Sequence, residues 1–294
     1  MMCSDIPTPV KSMMASSNMR WRHRYWHLVK NANFVNDPAN ASLVLALADI
    51  GWTASLTGQP GSGLDFLFMH RMMIKNIDAM LANANDAAWP KVVGWSQIPS
   101  GANDVDWPEP EIENLDDPTQ WPAEFSISLA AISNARSEAV VAQNLEYERI
   151  LRSTEFLQRD DISLDVYGDV LESSVHNWMH MRFADHPPAD FNDESIDNDW
   201  LGAPFSSHVN SYFWKLHGWI DDCIGLWETA NNETADFSNA WRPPEEAPPW
   251  NQLNLDVEIL GLAETKSRAP LFDPIAPFQS SPESMESVAR MLKD

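Results

Sequence analysis

The chain has 294 residues, enough for one large domain or two small ones with a sizeable buried core. Its 43 acidic against 19 basic residues give a net charge of -24, which argues against nucleic acid or an anionic membrane as partner. Two cysteines, Cys3 and Cys223, build neither a disulfide framework nor a thiolate metal site, and no apolar run approaches the roughly 18 residues of a membrane helix.

Met1 to Ser17 reads as a flexible lead-in. Met1 to Val10 lacks a charged segment followed by an apolar one, so the expectation is a cytoplasmic protein without a cleaved leader. Asn18 to Asn36 is aromatic and basic, and helical from about Met19. Asp37-Pro38 punctuates it, and Ala41 to Ile50 is a compact apolar run. Gly58 to Gly63 is a turn, after which Leu64 to Asn83 resumes helical spacing. Trp89 to Pro122, rich in Pro, Asp and Trp, reads as a long ordered loop of the kind that often covers a functional site. Glu124 to Leu157 is helical with a break near Asn134, and Ser163 to Phe183 is a helix with Ser163 as its N-cap. Pro187 to Pro204 is an acidic loop, Val209 to Thr229 a strongly apolar helix. The Pro-rich segment 242–294 is expected to pack on the domain and to end in a short helix from Ser281-Pro282. Strand signals are sparse. The fold class is mainly α, a single domain with a four-helix-bundle core and long irregular loops.

The histidines carry the functional signal. Eight scattered over 294 positions would give roughly 0.2 pairs four apart, yet there are two, His23/His27 and His176/His180, each able to present both rings on one helical face. His176 to His180 lies among apolar residues, where two buried neutral imidazoles need partners that a metal supplies. His70 and His217 are single histidines inside apolar helices. Asp221 follows His217 by four residues and Glu172 precedes His176 by four, positions from which a carboxylate could fix an imidazole tautomer. The result is two sets of three: His23, His27, His70 and His176, His180, His217. His186 and His208 read as surface residues, and Cys223 as a buried thiol.

His176-Asn177-Trp178-Met179-His180 and Phe213 to Asp221 resemble the B site of the type-3 copper family, with Asp185-His186-Pro187 as its linking segment. His23-Arg24-Tyr25-Trp26-His27 and Phe66-Leu67-Phe68-Met69-His70 resemble the A site of its arthropod hemocyanin and phenoloxidase branch. The tyrosinase pattern would need a ligand nine residues before His70, where Gly61 stands. The interval from His27 to His70 is longer than that branch usually shows, and the chain would correspond to the copper-bearing bundle alone. The resemblance implies two copper ions, molecular oxygen and a small aromatic substrate: a phenol, catechol or aminophenol oxidised by a copper-dependent oxidoreductase. It implies that Asn177, with Glu172, Asp185 or Asp199 as acidic help, activates a water that deprotonates the phenol. Three histidines per ion suit a metal cycling between Cu(I) and Cu(II), with zinc the main competitor. Two alternatives stay open: a reversible oxygen-binding protein, and a mononuclear metal protein using only His176, His180 and His217.

Overall fold

The computed structural model describes residues 5–112, 115, 117, 126–185, 191–246 and 290–292. These residues fold as helices joined by irregular loops, with no strand among them. The chain runs through α1 (Thr8–Met14), α2 (Ser17–Lys30), α3 (Ala32–Asn36), α4 (Ala41–Asp49), α5 (Ser62–Ala84), α6 (Ser126–Ala135), α7 (Glu138–Leu151) and α8 (Thr154–Leu157). It continues through α9 (Leu164–Leu171), a π-helical turn at Glu172–His176, α10 (Asn177–Arg182) and α11 (Ser211–Asn231).

Most of the expected segments are present, and their ends have local causes. Asn31 breaks the first long segment into α2 and α3 and caps α3 by accepting from the Phe34 amide at 3.1 Å. The expected break near Asn134 falls at the end of α6, just before Arg136 and Ser137. Ser163 does cap α9, accepting from the Val166 amide at 3.2 Å. Asn210 caps α11, and Asn232 ends it in the left-handed region at φ 52°.

From Thr8 the expected flexible lead-in is helical and packed on the core. Pro9 suits the first turn of a helix, and Val10 and Met14, one turn apart, are buried together. The Met14 carbonyl accepts from His208 Nε2 at 3.0 Å and the Ala15 carbonyl from Arg20 Nε at 2.8 Å, so α1 is tied to the core at its C-terminal end. The expected terminal helix from Ser281 and most of the Pro-rich segment lie outside the described residues, as do His186 and Cys3. Cys223 is a buried free thiol, as expected.

Helix α2 is buried on almost every side although it is rich in cations. Each charge is accommodated: the Arg20 guanidinium donates to the carbonyls of Ala15, Asn198 and Ser195, Arg24 lies 4.2 Å from the centre of the Phe191 ring, and Lys30 Nζ sits 2.8 Å from Glu172 Oε2. Next to it, α5 and α9 cross in near backbone contact. A Cβ on Gly63 would lie 1.8 Å from the Asp165 carbonyl oxygen, and one on Gly168 would lie 2.3 Å from the Gly63 carbonyl oxygen. Asp165 completes the joint by accepting from the Gly61 and Leu64 amides at 2.7 and 3.0 Å, capping α5 with a carboxylate from α9. Trp178 Nε1 donates to the Ala135 carbonyl and ties α10 to α6. The four helical segments that carry histidines, α2, α5, α9–α10 and α11, form the centre of the bundle.

Candidate metal centre

All six histidines of the two expected trios are buried, His27 the most accessible at 5%. Within His23, His27 and His70 one ring nitrogen from each lies within 4.8 Å of the others, and the same holds for His70, His176 and His217. His180 joins the second group through His176, Nε2 to Nε2 at 3.1 Å, and His217 Nε2 stands 3.2 Å from the same atom. His70 is therefore shared: it stacks on the His217 ring at 4.3 Å and faces His23 at 6.4 Å. The structure thus joins the two trios into one contiguous cluster of six.

The other ring nitrogen of each histidine decides what the cluster can do. His70 Nδ1 donates to the Phe66 carbonyl at 2.9 Å, His217 Nδ1 to the Phe213 carbonyl at 2.6 Å and His180 Nδ1 to the Leu201 carbonyl at 2.8 Å. His176 Nδ1 lies 3.0 Å from Asn177 Oδ1. A carbonyl only accepts, so each of these neutral rings carries its proton on Nδ1 and offers a bare lone pair at Nε2. His70 Nε2 has no hydrogen-bond partner. The His176 Nε2 lone pair meets those of His180 at 3.1 Å and of His217 at 3.2 Å, with no proton among the three. Such a meeting is repulsive until a cation lies between the nitrogens, and this fits a metal bound by imidazole. Protonation offers no escape. Burial lowers every one of these imidazoles, His70 and His180 to about 3 and the others well below 6.5, with neighbouring histidines adding to the effect in His23, His27, His176 and His217.

The π-helical turn ends at His176 itself. A π turn adds a residue to the helix and rotates the segment beyond it, and such turns gather at functional sites.

Neither expected carboxylate helper reaches a ligand ring. Glu172 is held by Lys30 at 2.8 Å in a buried pair, and Asp221 accepts from Arg71 Nε at 2.6 Å. The reason is that the Nδ1 protons already have acceptors, Asn177 Oδ1 for His176 and the Phe213 carbonyl for His217, leaving the carboxylates to nearby cations. Glu172, expected as acidic help beside His176, lies in an ion pair with Lys30. Burial raises its carboxyl and the Lys30 ammonium opposes that shift. Asp199 accepts from Lys11 at 3.4 Å. Asn177 does lie at the site, as the acceptor that fixes the His176 ring.

His208, expected at the surface, is fully buried and touches the cluster. Its Nε2 donates to the Met14 carbonyl, so its Nδ1 is the acceptor in the 3.2 Å contact with His23 Nδ1. His23 then carries its proton on Nδ1, and its Nε2, which has no hydrogen-bond partner, is left with a lone pair. The sequence hides this role because His208 sits alone in a 3-10 turn, 185 positions from its partner.

The described part of the Trp-rich loop is packed on the domain at Gly94 and Trp95. Gly94 meets Gly218 backbone to backbone, the Trp95 amide donates to the Lys215 carbonyl at 3.2 Å, and the Trp95 ring is buried against Phe183 and Trp107. A cavity of about 350 Å3 lies instead between α2 and α5 and reaches His23.

Fold and site together define a helical-bundle protein with histidine groups fit to hold metal ions. No helix of the described residues is long and apolar enough to cross a membrane. Comparison with family models gives no match, and the curated proteins give none either.

Proposed function

We propose that the protein is a type-3-like copper oxidoreductase that holds two copper ions, His23, His27 and His70 binding one and His176, His180 and His217 the other, and oxidises a small phenolic compound with molecular oxygen. One observation carries the reading: six buried neutral imidazoles from four helices, several anchored through Nδ1 on backbone carbonyls so that Nε2 lone pairs converge without a donor. The copper pair, when bound, supplies the two electrons and the oxygen binding that this chemistry needs.

The chain's own part is to keep the donors neutral, dry and oriented. The carbonyls of Phe66, Leu201 and Phe213, with Asn177 Oδ1, hold the rings in one tautomer. Ion pairs with Lys30 and Arg71 occupy Glu172 and Asp221, so the donor set stays free of carboxylate. Zinc tolerates the same donors, and what favours copper is the all-imidazole set arranged as two adjoining trios around His70.

The test is reconstitution with Cu(I), a count of ions per chain, and a spectrum before and after oxygen with a panel of phenols, catechols and aminophenols. The expected result is two copper ions per chain, a near-ultraviolet charge-transfer band on oxygenation and turnover of at least one substrate. One ion per chain, unaffected by His27→Ala, would replace the proposal by a mononuclear site. Two ions with a reversible band and no turnover would make the protein an oxygen carrier.

A further inference from the structure

Ligands buried this completely need a route by which a metal arrives. Among the described residues, the cavity of about 350 Å3 that reaches His23 offers one, and its lining is unusual in kind. Met19 stands one helical turn before His23 on α2. Facing it from α5 are Met69, Met72 and Met73, at the i, i+3 and i+4 spacing that puts them on one face. Four thioethers therefore line a cavity that ends at an imidazole whose Nε2 is buried and has no hydrogen-bond partner.

Packing alone would be served equally by leucine. What methionine adds is a soft, neutral sulfur ligand, which selects Cu(I) over hard or borderline divalent ions. Two guanidiniums stand in the same cavity, Arg22 and Arg242, with Glu245 beside them. Arg22 Nη1 donates to the Pro244 carbonyl at 2.6 Å, and Arg242 lies 4.5 Å from the centre of the Phe68 ring, so both charges are held in place. Against the single carboxylate of Glu245 the two guanidiniums leave a net positive charge, which repels a divalent ion twice as strongly as a monovalent one. Thioethers that bind softly and arginines that repel by charge both favour Cu(I) and disfavour Zn(II), which is the competing metal for the histidines.

We propose that this cavity is a capture site for monovalent copper, in which Met19, Met69, Met72 and Met73 bind Cu(I) and pass it to His23 by ligand exchange. The destination rests on the copper reading of the histidines; the capture by thioethers stands apart from it and is tested apart.

The whole metal-free protein, labelled with 13C in its methionine methyl groups, is titrated with Ag(I), a redox-inert soft monovalent probe, and in parallel with Zn(II). The methyl resonances of Met19, Met69, Met72 and Met73 are expected to move with Ag(I) below one equivalent and to stay in place with Zn(II). The double variant Met19→Leu/Met72→Leu keeps volume and fold. It is expected to load Cu(I) about tenfold more slowly or worse, while reaching the same final copper content as the wild type and taking up Zn(II) at an unchanged rate. Unmoved methyl resonances, or a double variant that loads Cu(I) as fast as the wild type, would overturn the capture site and make these methionines packing. A wild type that binds fewer than two copper ions while the four methyl groups still respond to Ag(I) would sink the binuclear reading and leave the capture site standing.

Discussion

Acidifying the metal-free protein should unfold it between about pH 6 and 5, because seven buried imidazoles cannot take up protons in the fold. They are His23, His27, His70, His176, His180, His208 and His217, each lowered chiefly by burial. In the unfolded chain each titrates near 6.5. Below that value the unfolded state therefore binds more protons than the folded one, and stability is lost as pH falls. Each group contributes about 1.4 kcal/mol per pH unit once well below 6.5, so the seven give a slope of roughly 10 kcal/mol per unit. A domain holds about 5–15 kcal/mol in all, which is consumed within about one and a half units of 6.5. Asp169 acts in the other direction, since burial and the neighbouring Glu172 raise its carboxyl to about 7, and burial raises Glu148, Glu172 and Asp222 as well, but these are four carboxyls against seven imidazoles. Tryptophan fluorescence and far-ultraviolet circular dichroism in a chelator, recorded against pH, measure the midpoint. Loading with either copper or zinc should move it downward, because a bound cation occupies the lone pairs that protons would take. A metal-free protein that stays cooperatively folded at pH 4 would refute the argument.

Glu172→Gln should cost about 3–5 kcal/mol in urea unfolding by leaving the Lys30 ammonium buried without its carboxylate, whereas Lys30→Met with Glu172→Leu should lose much less. Gly63→Ala should destabilise by about 1–3 kcal/mol or more, since its Cβ would fall 1.8 Å from the Asp165 carbonyl oxygen. By forcing α5 from α9 it should also weaken metal binding at His70. His208→Ala should leave the helical content intact and weaken chelator-resistant binding at the His23 trio by about 10–100-fold, with His208→Asn restoring part of it through its amide oxygen. An unchanged affinity in His208→Ala would show that His23 is oriented without it.

What was legible in the sequence is what local spacing encodes. Two HxxxH pairs, the apolar settings of His70 and His217, the Ser163 cap and the break after Asn134 each involve residues within a few positions of one another, and the structure contains all of them. The partners of the charges were not legible. Glu172 meets Lys30 across 142 positions and Asp221 meets Arg71 across 150, while the four-residue rule pointed each carboxylate toward a nearby histidine. Once Asn177 Oδ1 holds the His176 ring and the Phe213 carbonyl holds His217, no acid is needed there, and a cation from another helix claims it instead. The tryptophans of the long loop read more readily as packing than as pocket, and Gly94 against Gly218 and Trp95 against Phe183 and Trp107 are packed in that way.

The same distribution of charge bears on what a metal would meet. The net charge of -24 does not enter the donor set, because the donors are neutral rings and Glu172 and Asp221, each four residues from a ligand histidine, are paired with Lys30 and Arg71. A cation held there would keep its full charge in a dry space, where electrostatic interactions are strong. On the copper reading, that favours the lower oxidation state at rest and an anionic ligand whenever the higher one forms, which a phenolate can provide. Placing a carboxylate beside the rings, as Asn177→Asp would, should hold the centre in its oxidised state and slow reduction. A variant reduced as readily as the wild type would mean that neutrality of the donor set has no part in setting the copper's preference.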